Sequence, residues 1–320
     1  MFERVRAGVA DLGYAAGWSV VKSAPTGLSE RAFRAAADAA AVRNGGGTRQ
    51  LRKNLRRVVG PAVSELRMDQ LVGDALRSYS RYWLETFRLP RMDHADVIRR
   101  TDANTTGAEH IDAAVDAGRG FILALPHIGN WDVAGLWLID RYQRPFTTVA
   151  ERLKPESLYD RFVAYREGLG FEVLPLTGGE RSATSVLTER LQAGGGVCLL
   201  GDRDLSRNGV EVQFFGEAAK MPPGPALLAA TTGAALIPVS MWFTEDGWGQ
   251  RIDPPIELGG PEDGRLADRV RAGTQRLADA FAEHIAAHPI DWHMLQRLWL
   301  ADLPPRPDAS AAPLAPAAAV

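Results

Sequence analysis

A mixed, largely parallel α/β sheet flanked by helices, with a helical N-terminal region, is the fold class this sequence predicts. Three observations carry it. From about residue 107 short apolar runs alternate with helical stretches: "GAEHIDAAVDAG" then "GFILALP", "NWDVAGLWLIDRY" then "FTTVAE", "ESLYDRFVAYREGLG" then "FEVLPL", "ERSATSVLTERLQAGG" then "GVCLLGD". Such alternation makes parallel crossovers. The first hundred residues instead read as helix after helix. The charge-free stretch "MPPGPALLAATTGAALIPVSMWF" (221–243) changes composition halfway. Its first half is helix-like with a Gly stop and its second half strand-like, so a buried helix and strand fit it better than a membrane span.

The N-terminal elements follow in order. Phe2, Val5, Val9, Leu12 and Ala16 form one helical stripe, widened by Tyr14 and Trp18. "SERAFRAAADAAAV" is a helix with Ser29 as its expected N-cap. "RNGGGTRQLRKNLRRVV" gives a Gly-rich turn and a basic helix, and its Arg43, Arg49, Arg52, Lys53, Arg56 and Arg57 have no acid among them. "SELRMDQLVGDALRSYSRYWLETFRL" is a long helix ended before Pro90. Beyond the alternating region, "VEVQFFG", "AALIPVSMWF" and "RIDPPIEL" add strands, some antiparallel. Residues 261–300 read as a helical pair.

With 320 residues and 46% hydrophobic content, the chain supports a single domain over 1–305. It divides into a helical part (1–100), whose apolar stripe and basic helix could face a membrane, and an α/β core (101–300). The Ala- and Pro-rich 306–320 is expected to be disordered. A net charge of −2 excludes a strongly basic nucleic-acid binder. The single Cys198, in an apolar run, reads as a small core residue in a reducing compartment. No secretory leader pattern is present at the N-terminus.

The chemistry concentrates in "ALPHIGNWD". His127 follows a strand, and in open α/β sheets reactive groups gather at the strands' carboxyl ends. Asn130 can cap the next helix, which places Asp132 in its first turn. A turn through Gly129 would bring that carboxylate to one imidazole nitrogen and leave the other facing a cleft, an arrangement for general-base catalysis. The same spacing also suits a structural histidine and an Asp that answers only the helix dipole.

"HIGNWD" resembles the histidine-four-residues-acid motif of the glycerolipid and lipid A acyltransferases. "LLGDRDLSRNGVEVQFFGEAAKMPPGPALLAATTGAALIPV" and "HPIDWHMLQRLW" resemble their Asp-Arg segment and closing helix. Asp132, where the lipid A branch usually has Glu, and the Ala- and Arg-rich composition resemble the actinobacterial phosphatidylinositol mannoside acyltransferases. The resemblance implies transfer of a fatty acyl chain from acyl-CoA, palmitoyl-CoA being expected, to a mannose hydroxyl of a membrane glycolipid at the cytoplasmic face. It implies His127 as base with Asp132 as its partner, and neither a metal nor a resident cofactor.

The oxyanion candidates are Arg166, which the resemblance favours, Arg203, and amides near Gly129. Gly129, Asn130, Glu151, Arg152, Asp202 and Asp204 are candidate substrate-binding residues, and Arg144, Arg152, Lys154 and Lys220 candidate phosphate partners. "VAGLWLI" is the expected wall of the acyl tunnel. The N-terminal stripe and the basic helix suit an anionic membrane surface. Two rivals stand beside this reading: a metal-dependent glycosyltransferase built on Asp202-x-Asp204, and a lipid-binding peripheral protein without catalysis. His284 and His288, four apart on a helix with His293 nearby, could suit zinc, but no Glu follows His284 as in the metalloprotease pattern, and they read rather as ordinary helix-surface histidines.

Overall fold

A computed structural model describes residue 21 and residues 24–152, 155–204 and 209–303. The amphipathic stripe of residues 2–18, Lys154 and the 306–320 tail lie outside the described residues. Helices α1 (Thr26–Arg43), α2 (Gly46–Val59) and α3 (Glu65–Arg88) form the N-terminal region. Ser64 caps α3 by accepting from the Arg67 N–H. Ser29 is not a cap. Pro25, held at φ −54°, starts α1 a turn earlier than expected, and the Ser29 hydroxyl folds back onto the Pro25 carbonyl at 3.4 Å.

The basic face of α2 is not free for headgroups at its three central arginines. Arg52 reaches Asp69 at 2.6 Å and also pairs with Glu65. Arg56 pairs with Glu65 and the Val63 carbonyl. Arg57 joins Asp302 at 2.8 Å and Glu217 at 3.0 Å, with its guanidinium 4.6 Å from the Trp299 ring centroid. The acids absent from the local sequence are supplied by distant segments.

Fully buried Asn54 donates to the Met294 and Gln296 carbonyls at 2.8 and 2.9 Å. Asn54→Leu strands both carbonyls, and a loss of about 1–3 kcal/mol is expected in urea unfolding. A loss near zero would show that α2 does not brace the C-terminal segment.

The core is a seven-stranded sheet in the order β1-β9-β8-β2-β5-β3-β4. Its strands are β1 (Thr105–Thr106), β2 (Phe121–Leu125), β3 (Thr147–Ala150), β4 (Glu172–Pro175), β5 (Gly196–Leu200), β8 (Ala235–Phe243) and β9 (Trp248–Ile252). All pair in parallel except β8 with β9. Every residue of β2 is buried, as a central parallel strand requires. The crossover and flanking helices are α4 (His94–Asp102), α5 (Glu109–Asp116), α6 (Trp131–Tyr142), α7 (Glu156–Glu167), α8 (Ala183–Gln192), α9 (Gly224–Thr232) and α10 (Leu266–Ala287).

The 221–243 stretch divides as expected into α9 and β8, with Gly233 left-handed (φ +74°) at the helix end. No helix among the described residues is long and apolar enough to cross a membrane.

Three elements differ from expectation. "VEVQFFG" pairs with an unanticipated β7 (Glu217–Met221), so β6 (Val210–Phe214) and β7 form a separate hairpin. Its turn has Phe215 at φ +51° and Gly216 at φ +78°, the two positive values that a two-residue hairpin turn favours. "RIDPPIEL" contributes only Arg251 and Ile252 to a strand. The expected C-terminal pair is α10 alone: after it, residues 289–302 form a strap with short 3-10 turns at Pro289–Asp291 and Leu300–Asp302 and no α-helix. Pro289 interrupts the helix, and Trp292, Met294, Leu298 and Trp299 are buried at spacings no helix face provides.

Candidate active site

Strand register builds the centre. β2 and β5 are parallel neighbours with Leu125 opposite Leu200, and Gly201 donates to the Leu125 carbonyl at 2.8 Å. His127 and Asp202 are therefore each two residues beyond adjacent strand ends. The His127 Nδ1–H donates to Asp202 Oδ1 at 2.5 Å, and the His127 backbone N–H donates to Oδ2 at 2.9 Å. Asp202 is fully buried, whereas 22% of the His127 side chain is exposed. Burial alone would raise the Asp202 pKa. Its contacts with His127 and the Trp292 indole hold it below the ordinary carboxylate range. An ionised carboxylate on Nδ1 fixes the proton there and leaves Nε2 as the basic nitrogen of the neutral ring.

This corrects the expected partner of the imidazole: it is Asp202, not Asp132. Asn130 does cap α6, accepting from Val133 N–H at 3.2 Å, and Asp132 does sit in its first turn. From there the Asp132 carboxylate points inward. Arg166 Nε donates to Oδ1 at 2.9 Å and the Tyr82 hydroxyl to Oδ2 at 3.4 Å. Asp132 is fully buried and 18% of the Arg166 side chain is exposed. Burial disfavours the guanidinium charge, but Asp132 more than offsets it and raises the Arg166 pKa. The Arg166 Nη nitrogens take no partner among the described residues.

Gly129 makes the turn possible. Its φ is +60°, and an added Cβ would lie 2.8 Å from the Met241 carbonyl carbon and oxygen. Gly129→Ala is expected to cost at least about 2 kcal/mol in thermal or urea unfolding. A variant as stable as wild type would contradict this backbone geometry.

The other expected residues divide. Arg203 and Glu151 meet at 3.3 Å over the ends of β5 and β3. Arg152 is exposed and holds Glu156 at 3.0 Å. Asp204 accepts from Gly209 N–H at 2.8 Å. Asp202 is engaged by three donors, and Asp204 accepts from the Gly209 amide, so the two carboxylates of the Asp-x-Asp pair meet different partners among the described residues. Arg144 lies past the far end of α6, before β3. A twelve-residue helix spans about 18 Å, so Arg144 lies toward the amino-terminal ends of the strands, away from His127 at their carboxyl ends. Lys220 lies on β7 opposite Glu211.

The three C-terminal histidines diverge. His284 faces Asp253 at 2.7 Å, His288 stacks on Trp242 at 4.5 Å, and His293 meets Ser78 at 3.0 Å.

Residues of α3 that the sequence reading did not single out complete the site. Ser78, Tyr82 and Glu85, on one helical stripe, reach Asp291, Asp132 and the Asn130 side chain respectively. Glu85 also accepts from the Trp248 indole at 2.7 Å. Polar side chains at that spacing on a largely apolar face were the available signal.

A cavity of about 70 Å³ opens between the sheet and α6. Leu123, Gly135, Leu138, Phe146, Cys198 and Met241 line it, and Asp132 and Arg166 stand in its wall. Burial pushes the Cys198 thiol well above its usual range, in keeping with a wall residue. The expected wall, "VAGLWLI", supplies Ala134, Gly135, Trp137 and Leu138.

The chain is 56% identical to the phosphatidylinositol mannoside acyltransferase of Mycolicibacterium smegmatis over 295 residues, 92% of this chain and 93% of that protein. It is 54% and 53% identical to proteins of the same name from two Mycobacterium tuberculosis strains, CDC 1551 / Oshkosh and H37Rv, each over 293 residues, 92% of this chain and 89% of those proteins. The family described as bacterial lipid A biosynthesis acyltransferase matches residues 5–301. An imidazole–carboxylate pair at parallel strand ends, near an apolar cavity, thus sits in a chain that belongs to the bacterial lipid A biosynthesis acyltransferase family.

Proposed function

We propose that this enzyme moves a long fatty acyl chain from acyl-CoA to a mannose hydroxyl of a phosphatidylinositol mannoside. One observation carries the reading: the 2.5 Å contact from His127 Nδ1 to Asp202, an arrangement in which the neutral ring keeps its proton on Nδ1 and offers Nε2 as acceptor. Nε2 takes the proton of the mannose hydroxyl as its oxygen bonds to the thioester carbonyl carbon. The tetrahedral oxyanion collapses, the C–S bond breaks, and the proton passes to the departing CoA thiolate. The Arg166 Nη groups, held in place through Nε by Asp132, are the leading oxyanion donors, with the amides at the α6 N-terminus beside them. The apolar cavity takes the thioester end of the chain and must open further to admit a long one.

The names of the mycobacterial relatives support the acceptor. Arg203 and Glu151, above the same strand ends, suit the sugar hydroxyls. Peripheral attachment at the cytoplasmic face, where acyl-CoA meets a lipid acceptor, is part of the same proposal, and no described helix is long and apolar enough to cross a membrane.

The test is thiol release from palmitoyl-CoA by purified enzyme, with and without a phosphatidylinositol mannoside in vesicles. Acceptor-dependent release that persists in EDTA is the expected result. Release with no acceptor dependence, or abolished by EDTA, would overturn the proposal.

A further inference from the structure

We infer that Trp292 is a positioning residue of this site: its indole N–H fixes the rotation of the Asp202 carboxylate, and the strap that carries it splints the His127 loop. The inference rests on His127 being the base.

Asp202 is fully buried, so protein donors alone set its orientation. Oδ1 accepts from the imidazole. Oδ2 accepts from the His127 backbone N–H at 2.9 Å and from Trp292 Nε1 at 3.0 Å. Two donors on Oδ2 lock the plane of the carboxylate and hold Oδ1 on the ring. Without the indole, Oδ2 keeps one donor, and that donor belongs to the residue being oriented.

The strap also pairs with the catalytic loop along the backbone. Gly129 N–H donates to the Asp291 carbonyl at 2.9 Å, and His293 N–H donates to the His127 carbonyl at 2.7 Å. Ile128 and Trp292 face each other in this antiparallel bridge.

The strap is itself anchored to α3 and β8. Asp291 accepts from the Ser78 hydroxyl at 2.7 Å and from Phe243 N–H at 3.0 Å. With its one proton on Asp291, Ser78 accepts from His293 Nε2–H at 3.0 Å. Among the described residues, the titratable groups placed at His127 are Asp202, two residues past β5, and His293 on the strap. Burial, helped by nearby His127, depresses His293 to about 3, so it is neutral near neutral pH.

Trp299 supplies an internal control. Its ring is 6.0 Å from that of Trp292 in the same apolar cluster, and its N–H donates to the Phe214 carbonyl at 2.9 Å. It makes the same kind of bond without touching Asp202.

The experiment replaces Trp292 with 3-benzothienylalanine, which substitutes sulfur for the N–H at nearly constant shape. Trp292→Phe is the encoded companion, and the same two replacements are made at Trp299. At position 292 kcat is expected to fall by about tenfold with KM unchanged. The acid limb of the kcat/KM profile should rise by about half a pH unit, because Asp202 with one donor fewer holds the imidazolium more strongly. Histidine proton NMR should show the same shift for His127 without substrate. At position 299 the unfolding midpoint is expected to drop while the limb stays put.

Unchanged kcat and pH profile at 292 would overturn the inference. Equal losses at 292 and 299 with no shift in either would also overturn it, by reducing Trp292 to packing. A wild type without acceptor-dependent turnover would instead refute acyl transfer, and the NMR shift would still decide the role of Trp292.

Discussion

Asp202→Asn is expected to lower kcat by about 10²- to 10⁴-fold with little change in KM or in the unfolding midpoint. Asparagine keeps the shape of the buried carboxylate and can still bind the Trp292 indole and the His127 amide through its oxygen. Its NH₂ then faces Nδ1. That nitrogen must accept, so the ring proton moves to Nε2, and the base has the wrong tautomer. His127→Ala is expected to lose as much, and the double variant little more, because the two groups act as one unit. Steady-state thiol release for the two single variants and the double variant checks this. A fully active Asp202→Asn beside an Asp132→Asn that has lost turnover but not stability would restore Asp132 as the orienting acid.

Asp132→Ala is expected to cost about 3–5 kcal/mol of stability, because it leaves the Arg166 guanidinium largely buried without its counter-charge. The Tyr82 hydroxyl loses its acceptor in the same step. Replacing both partners, as in Asp132→Leu with Arg166→Met, should recover most of that loss, since no charge is then stranded. Chemical unfolding of the single and double variants measures it. A single-variant loss below about 1 kcal/mol, or a double variant worse than the sum of the singles, would mean the pair does not brace this part of the fold. The double variant should remain inactive if Arg166 stabilises the oxyanion, which separates its contribution to folding from its contribution to rate.

The elements that were legible from the sequence are those whose signal is local. Apolar runs and helical spacing marked β2, β3, β4, β5, α6, α7 and α8. The Gly233 stop divided α9 from β8. Asn130, one residue before its helix, marked the cap. His127 at a strand end marked the centre. Each follows from backbone geometry within a turn or two of chain.

What only the tertiary structure decided are the pairings. Asp202 lies 75 positions from His127 in the sequence, and the β2–β5 register alone sets them side by side. Asp132 is five residues from His127, but its helix directs it toward Arg166 and Tyr82 on other elements. The charged face of α2 looked free because its acids are supplied from as far away as Asp302. The closing part of 261–300 looked like a second helix until its buried tryptophans and the Asn54 side chain claimed it as a strap. The reason is the same in each case: periodicity assigns a side chain to a face of its own element, while register and packing between distant elements choose which charge that face meets.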